Sequence, residues 1–335
     1  MYSRQVFSTY TRDSLEALLL ETAVFRASPL RPVVSFHDGR PSLVKVRFHA
    51  GARLEFIVPE AFNSEERRDF YTNRWFACCA MFVAAKEAYP DLRGECHFWV
   101  DDMPHGSGLA FCGNSVSHIL VPDSVFFETG GYDYLRQQGP EAIRPWKARA
   151  STVFWRGAST GLREMMRLVS WRDIPRFKLC MVAQQLARPE TYDIGVSNVV
   201  QIWDANELAE IAESGLLRDE VPQSAFMDYR YAIDIDGNTC SWPGLFTKLL
   251  MANVVMKPDS YNGYRQWYYD RLIPWRNFVP LLEDLANLAE TTEYLMAHPD
   301  EAERVAYAGR DLAETMTFEA ELKRAAGAVQ LSVRS

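Results

Sequence analysis

Tyr229-Arg-Tyr-Ala-Ile-Asp-Ile-Asp-Gly-Asn238 is followed by Val254-Val-Met-Lys257 and then by Ile273-Pro-Trp275. The apolar and β-branched run up to Ile235 reads as a strand over Tyr231–Ile235, and Asp236-Gly237 as a tight turn. Leu245 to Ala252 has helical spacing, and Val254 to Met256 is a second short strand. Strand, turn, helix and strand in that order make a parallel pair. The turn then lies at the carboxyl edge of the sheet, where α/β proteins bind phosphorylated ligands.

Reading outward, Thr152–Trp155 is a strand and Arg163–Val169 a helix, and two helices occupy about 283–297 and 299–315. Toward the amino terminus, Leu15, Leu18, Leu19 and Val24 share one helical face within residues 11 to 25. Val33–Phe36, Leu43–Phe48 and Leu54–Val58 read as strands separated by turns at His37-Asp-Gly-Arg40 and His49-Ala-Gly51. A long helix should begin at Asn63, with Glu66 completing a capping box, and run to about Tyr89. His97–Val100 and Val116–Val121 are further strands. Gly130-Gly131 and Gly139-Pro140 break the chain, and the boundary between two domains is expected near Arg144 to Arg149. This gives residues 1–145 and 146–335, with the last helix as the element able to pack back on the first domain.

A chain of 335 residues has room for two such domains, since a single core rarely grows past roughly 250–300 residues. The net charge of −8 argues against a nucleic-acid partner, which needs a basic surface to displace counterions. An anionic ligand must therefore meet local positive charge. Met1 to Phe7 lacks the apolar core of a signal peptide, and the longest apolar run, Trp75–Ala85, falls short of the ~20 residues that span a bilayer. A cytoplasmic protein with at most peripheral membrane contact is expected. The six cysteines form no CxxC pair or His/Cys ligand spacing, so reduced buried thiols are expected and no metal.

Three constellations could carry chemistry. Phe154-Trp-Arg156-Gly157-Ala-Ser159-Thr160 sets a cation, a glycine and two hydroxyls just past a strand, a combination suited to an anion. Asp234-Ile-Asp236-Gly237-Asn238 has three readings: the metal-binding Asp-x-Asp of a metal-dependent nucleotide-sugar transferase, the nucleophile and acid/base pair of a haloacid-dehalogenase-like magnesium phosphatase, or a turn capped by Asp236 itself. The phosphatase motif ordinarily opens its fold and continues with Thr and an apolar residue. Here it lies late in the chain and continues Asn-Thr-Cys. Asp101-Asp102-Met-Pro-His105 ends a strand in a chain reversal, and its clustered titratable groups mark a candidate site. His97 and His118 stand near no Ser or Cys nucleophile at a recognisable spacing, so hydrolase triads are not supported.

Taken together these segments resemble glycosyltransferase family 90, which includes protein O-glucosyltransferases and enzymes building capsule and lipopolysaccharide. The resemblance rests on Pro145-Trp-Lys147, on Phe154 to Thr160, on Tyr229-Arg-Tyr followed by Asp236-Gly237, and on Tyr268-Tyr-Asp-Arg271-Leu-Ile-Pro-Trp275. It implies a GT-B-like α/β fold of two facing Rossmann-like domains, binding the acceptor in the first and a UDP-sugar in the second. It further implies inverting transfer, usually of glucose or xylose, without a metal or other cofactor. By the same likeness Asp102 is the general base, and Arg156, Gly157, Ser159, Thr160, Tyr229, Asp236, Gly237, Asn238 and Ser241 lie along the donor. Asp101, His105 and Asp123 fall on the acceptor side, where a glycan, lipopolysaccharide or lipid-linked acceptor would bind. The family's Arg after the Ser is missing here. Ser241-Trp-Pro-Gly-Leu-Phe-Thr-Lys248 stands in its place, with Lys248 as the substitute charge, and this departure leaves a non-catalytic sugar-binding relative as an alternative.

Overall fold

A computed structural model of the protein describes residues 11–60, 68–137 and 144–334. The first ten residues, the Asn63/Glu66 capping box and Gly139-Pro140 lie outside them. The chain forms two compact units, Met1–Gly131 with Phe318–Ser335, and Tyr132–Thr317. The division thus falls at Gly131/Tyr132 and not near Arg144–Arg149. Gly130 and Gly131 both take positive φ, open to glycine without strain, and they turn the chain there. From Tyr132 onward the chain is tied to the second unit. The Tyr132 ring lies 5.1 Å from that of Phe246, and Arg136 donates to the carbonyls of Ala313 and Met316 at 3.0 Å each.

In the first unit the sheet order is Arg31–His37, Arg53–Pro59, Leu43–Phe48, Gly94–Trp99, Gly108–Ala110, His118–Leu120. Leu43–Phe48 runs antiparallel to both neighbours and the other pairings are parallel. One face is sealed by the helix Arg68–Ala88. Its Trp75 and Phe82 rings meet Phe56 edge-on, and Phe82 meets Phe98 in the same way, an arrangement that aromatic quadrupoles favour. Phe318–Ser332 packs on that helix, and beyond it Arg334 exchanges backbone hydrogen bonds with Glu95 at 3.0 and 2.9 Å. The first unit is therefore built from two separate stretches of chain.

The second unit holds a fully parallel five-stranded sheet in the order Val279–Leu281, Val254–Pro258, Tyr229–Ile233, Ala150–Ala158, Tyr192–Asn198. Every residue of Val254–Pro258 is buried, as expected of a strand covered on both faces. Val153, Trp155, Ile233, Met256 and Val279 form one core with Phe177, Leu179, Ile211, Leu288 and Val305. From Ala150–Ala158 the chain goes first to the strand on one side and then, at Tyr229, to the strand on the other. A crevice opens where connections diverge in this way, outside the carboxyl ends of the two central strands.

Some elements differ from their expected limits. The helix expected over 163–169 is only Arg163–Met166, because Arg167 turns into the left-handed region at φ 56°. The helix expected from 283 starts at Leu288, after a turn in which Leu285 has φ 65° and Asn287 Oδ1 accepts from Leu282 N. Among the described residues no helix is long and apolar enough to cross a membrane.

Candidate functional site

The Tyr229–Ile233 strand stops one residue before Asp234, whose amide still bonds to Met256 O at 2.9 Å. The Asp234 carboxylate is fully buried. Lys248 Nζ donates to Oδ1 at 2.9 Å, while Ser241 Oγ at 2.8 Å and Lys257 Nζ at 3.3 Å donate to Oδ2. Burial would raise its pKa, but the two ammonium groups reverse that and hold it at about 2. Pro243 opens the helix Pro243–Leu250, where its fixed φ suits the first position, and the helix carries Lys248 in its last turn. This seats the ammonium against Asp234 and 5.1 Å from the Phe226 ring centroid, with Lys248 only 6% exposed.

Lys257, close to the end of the neighbouring strand, also donates to Asp236 Oδ1 at 2.9 Å. Asp236 Oδ2 is buried without a hydrogen-bond partner. Burial raises the Asp236 pKa, Lys257 opposes this and the Asp234 charge adds to it. The pair of carboxylates is thus already met by a pair of lysines, and among the described residues no group of three or more His, Cys, Asp or Glu side chains could hold a metal ion.

Directly beyond this cluster the turn closes on the end of the other central strand. A Cβ on Gly237 would stand 2.4 Å from Thr160 Oγ1 and 3.2 Å from Arg176 Nη2, so a larger residue here requires the threonine or the turn to shift. Asn238 Oδ1 accepts from Leu162 N at 3.1 Å. Arg176, next to the Pro175 that opens the helix Pro175–Gln185, reaches across both strand ends. It donates to Ala158 O at 2.8 Å, Asp236 O at 3.3 Å and Ile235 O at 3.4 Å. Burial lowers its pKa, and Asp234 and Asp236 act in the opposite sense. A guanidinium has five N–H donors, so two remain beyond these three bonds. The crevice therefore gathers Thr160, Asp236, Gly237, Asn238 and Arg176, with Ser241, Lys248 and Lys257 engaged beneath on Asp234.

Other expected donor residues make different contacts. Arg156 pairs with Asp193 at 2.6 Å and lies over the Phe154 ring, and Tyr229 donates to the same Asp193 at 3.3 Å. Ser159 is fully buried; its hydroxyl donates to Val200 O and accepts from Val200 N, which stitches the loop after the first strand to the one after the second. Gly157 has the Trp155 ring 3.2 Å from where a Cβ would stand. Arg176 was not singled out from sequence. The available signal was Pro175, which marks a helix start, but nothing local ties that start to the Asp236 turn.

In the first unit, Asp101 and Asp102 follow the end of Gly94–Trp99. Arg74 Nη2 donates to Asp102 Oδ1 at 3.0 Å and Arg74 Nη1 to Val100 O at 3.0 Å. Tyr71 Oη donates to Asp101 Oδ2 at 3.1 Å, and Asp101 Oδ1 accepts from Asp102 N. The Asp102 side chain keeps about a fifth of its surface exposed (21%). His105 is exposed beside Trp99. Asp123 is fully buried and caps the helix Ser124–Glu128, accepting from Phe126 N at 3.0 Å.

The family model described as glycosyl transferase family 90 matches residues 133–320. Protein O-glucosyltransferase 2 of Danio rerio is 28% identical over 215 residues, 62% of this chain and 38% of that protein. Human protein O-glucosyltransferase 3 is 24% identical over 43% of this chain and 27% of its own length. An uncharacterised protein, 035R of Invertebrate iridescent virus 3, is 23% identical over 47% of this chain and 14% of its own. The chain thus spans less than two-fifths of the length of each of these relatives. Among solved structures, TarM is similar at a TM-score of 0.37 and 12% identity over 54% of this chain and 35% of that one. A GtfA/B complex is similar at 0.36 and 13% over 56% and 37%.

Proposed function

The chain belongs to glycosyl transferase family 90, and on that premise we propose that it moves a sugar from a UDP-sugar to a hydroxyl of a glycan, lipopolysaccharide or other acceptor. The observation that carries this reading is the Arg176 guanidinium fixed across the carboxyl ends of the two central strands of the second unit, beside Thr160 and the Gly237 turn. A leaving diphosphate needs charge and donors held in advance of the reaction, and a guanidinium anchored on three carbonyls does not have to reorganise to supply them. Asp102 is the base of the reading. It accepts the acceptor hydroxyl proton as that oxygen bonds to the anomeric carbon, while the bond to the UDP oxygen breaks on the opposite face and inverts the centre. Arg74 orients the Asp102 carboxylate. Glucose or xylose is the sugar, no metal or other cofactor takes part, and the cytoplasm is the location; the last is supported by the burial of all six cysteines, which suits reduced thiols.

The phosphatase alternative asks Asp234 to attack phosphorus. A carboxylate that is fully buried with both oxygens bonded to Lys248, Lys257 and Ser241 is poorly suited to that task. Calorimetric titration with UDP, in chelator and then with magnesium or manganese, tests the proposal. Micromolar binding that ignores the metal is expected, followed by turnover when UDP-sugars and acceptors are screened. Binding that requires the metal would overturn the metal-free reading. Binding without turnover of any donor would make the protein a sugar-nucleotide-binding relative.

A further inference from the structure

We infer that the second unit carries a separate binding site for a neutral oligosaccharide, built on Trp275 and Tyr294. Trp275 is bulky and β-carbon-bearing yet has φ +61°, a left-handed conformation that costs on the order of 1–3 kcal/mol in such a residue. The loop around it is locked. Trp275 N donates to Phe278 O at 2.8 Å, and buried Asn277 accepts from Ile273 N at 2.8 Å and donates to Arg271 O at 3.1 Å. The result of this strained, fully bonded turn is an indole left 41% exposed. Tyr294, 40% exposed, meets it edge-on at 5.5 Å, stacks on His298 at 4.3 Å and donates to Glu301 at 2.8 Å. Neither ring contributes to the core; both are held rigidly at a surface.

Beside them lies an open surface pocket of about 480 Å³, within the range of small-ligand sites. Asn287, which stands at the N-cap of the helix Leu288–Ala297, and Glu290, Thr291 and Tyr294 on one face of it line the pocket with Trp275 and Glu301. The lining decides the ligand class. It contains carboxylates, an amide and a hydroxyl but no Lys or Arg, so phosphates are disfavoured. An apolar partner would bury the carboxylates unpaired, at a cost of several kcal/mol. A pyranose ring satisfies both halves: its C–H faces pack on the indole and phenol, and its hydroxyls donate to Glu290 and Glu301. Trp275 precedes the Val279–Leu281 strand, whereas the Asp236 turn follows its own strand. The register sets Val279 level with Met256 and Ile233, two strands across the sheet from the strand that leads to Asp236, and no residue of this aromatic pair or its lining belongs to the nucleotide crevice. The choice of ligand comes from the lining and does not rest on the transfer reading.

The test is a fluorescence and saturation-transfer NMR titration of the full chain, without nucleotide, using cellotetraose, maltotetraose and xylotetraose. Saturable binding of at least one is expected. Trp275→Ala should weaken it about tenfold or more and Glu290→Gln about threefold, with UDP affinity unchanged in both. Because the glycan is titrated without nucleotide, failure of UDP binding and failure of this site are read separately. Should Trp275→Ala not fold, Glu290→Gln at an exposed position decides alone. The inference is overturned if none of the three sugars binds, or if the folded variants bind as the parent does. Displacement of the sugar by tetramethylammonium would overturn it in favour of a cation cage. A change in sedimentation of Trp275→Ala, without loss of sugar binding, would make the face a contact between copies.

Discussion

Gly237 approaches Thr160 so closely that a single added carbon would come 2.4 Å from the threonine hydroxyl. The two residues lie in the turns that follow the central strands Tyr229–Ile233 and Ala150–Ala158, and their contact brings those turns together. Gly237→Ala should force these strand ends apart, at about 1–3 kcal/mol of stability and at least about a tenfold loss of UDP affinity. Removing the hydroxyl as well, in Gly237→Ala with Thr160→Ala, should recover part of the stability. A double-mutant cycle by urea unfolding and calorimetry checks both, and strict additivity would show that the contact does not set the geometry.

Arg176→Ala and Arg156→Ala should part company. Arg176 spans both strand ends, so its loss is expected to weaken UDP binding by about tenfold or more. Arg156 is paired with Asp193, so its removal should chiefly leave a half-buried carboxylate without its cation and lower the unfolding midpoint. Calorimetry and thermal unfolding of the two variants side by side separate these outcomes, and an equal effect on UDP affinity would refute the distinction.

Breaking the Lys248–Asp234 pair should be costly. Lys248→Met leaves a buried carboxylate with Lys257 and Ser241 only, and about 3–5 kcal/mol of destabilisation is expected from urea titration. A loss below about 1 kcal/mol would mean that the remaining lysine compensates alone.

The pH dependence has a definite sign. The Asp234 carboxyl falls from 3.8 to about 2 on folding, so its contribution is complete above about pH 4 and is lost as pH falls toward 2. The shift corresponds to about 2 kcal/mol. Asp236, raised by burial, acts oppositely and loses stability as pH rises through its folded value. Unfolding measured between about pH 5 and pH 2 should therefore fall less steeply in Asp234→Asn than in the parent.

Asp102→Asn should reduce turnover by about a hundredfold or more while leaving UDP affinity within a factor of about two. Arg74→Met should reduce kcat less and leave KM for the donor unchanged, because it acts only through the orientation of Asp102. Full activity in Asp102→Asn would remove it as the base.

Much of this architecture was readable locally. The Tyr229–Asn238 run announces a strand and turn because alternation, Asp and Gly act within a few residues of one another. Lys248 was legible as a cation near the turn, but its burial against Asp234 depends on where Pro243 starts the helix, and that sets which way the side chain faces. Arg176 was not legible at all. It reaches Asp236 only because the strand order brings the helix after Pro175 under the crevice, a relation sixty residues long. Ser159 and Asp123 illustrate the converse: a hydroxyl and a carboxylate at strand ends look like ligands in sequence, yet their neighbours in space are backbone amides and carbonyls.

The first unit is assembled from Met1–Gly131 together with Phe318–Ser335, a segment that follows the second unit in sequence and joins through Phe318–Ser332 and the Glu95–Arg334 bridge. On the ribosome, the amino-terminal sheet therefore emerges long before the helix and strand partner that complete it. The intervening unit can close first, because all of its own strands are already out. The order of synthesis is then the reverse of the order of completion, and the sheet of the first unit waits for Phe318–Ser332 and Arg334 to follow the second unit out.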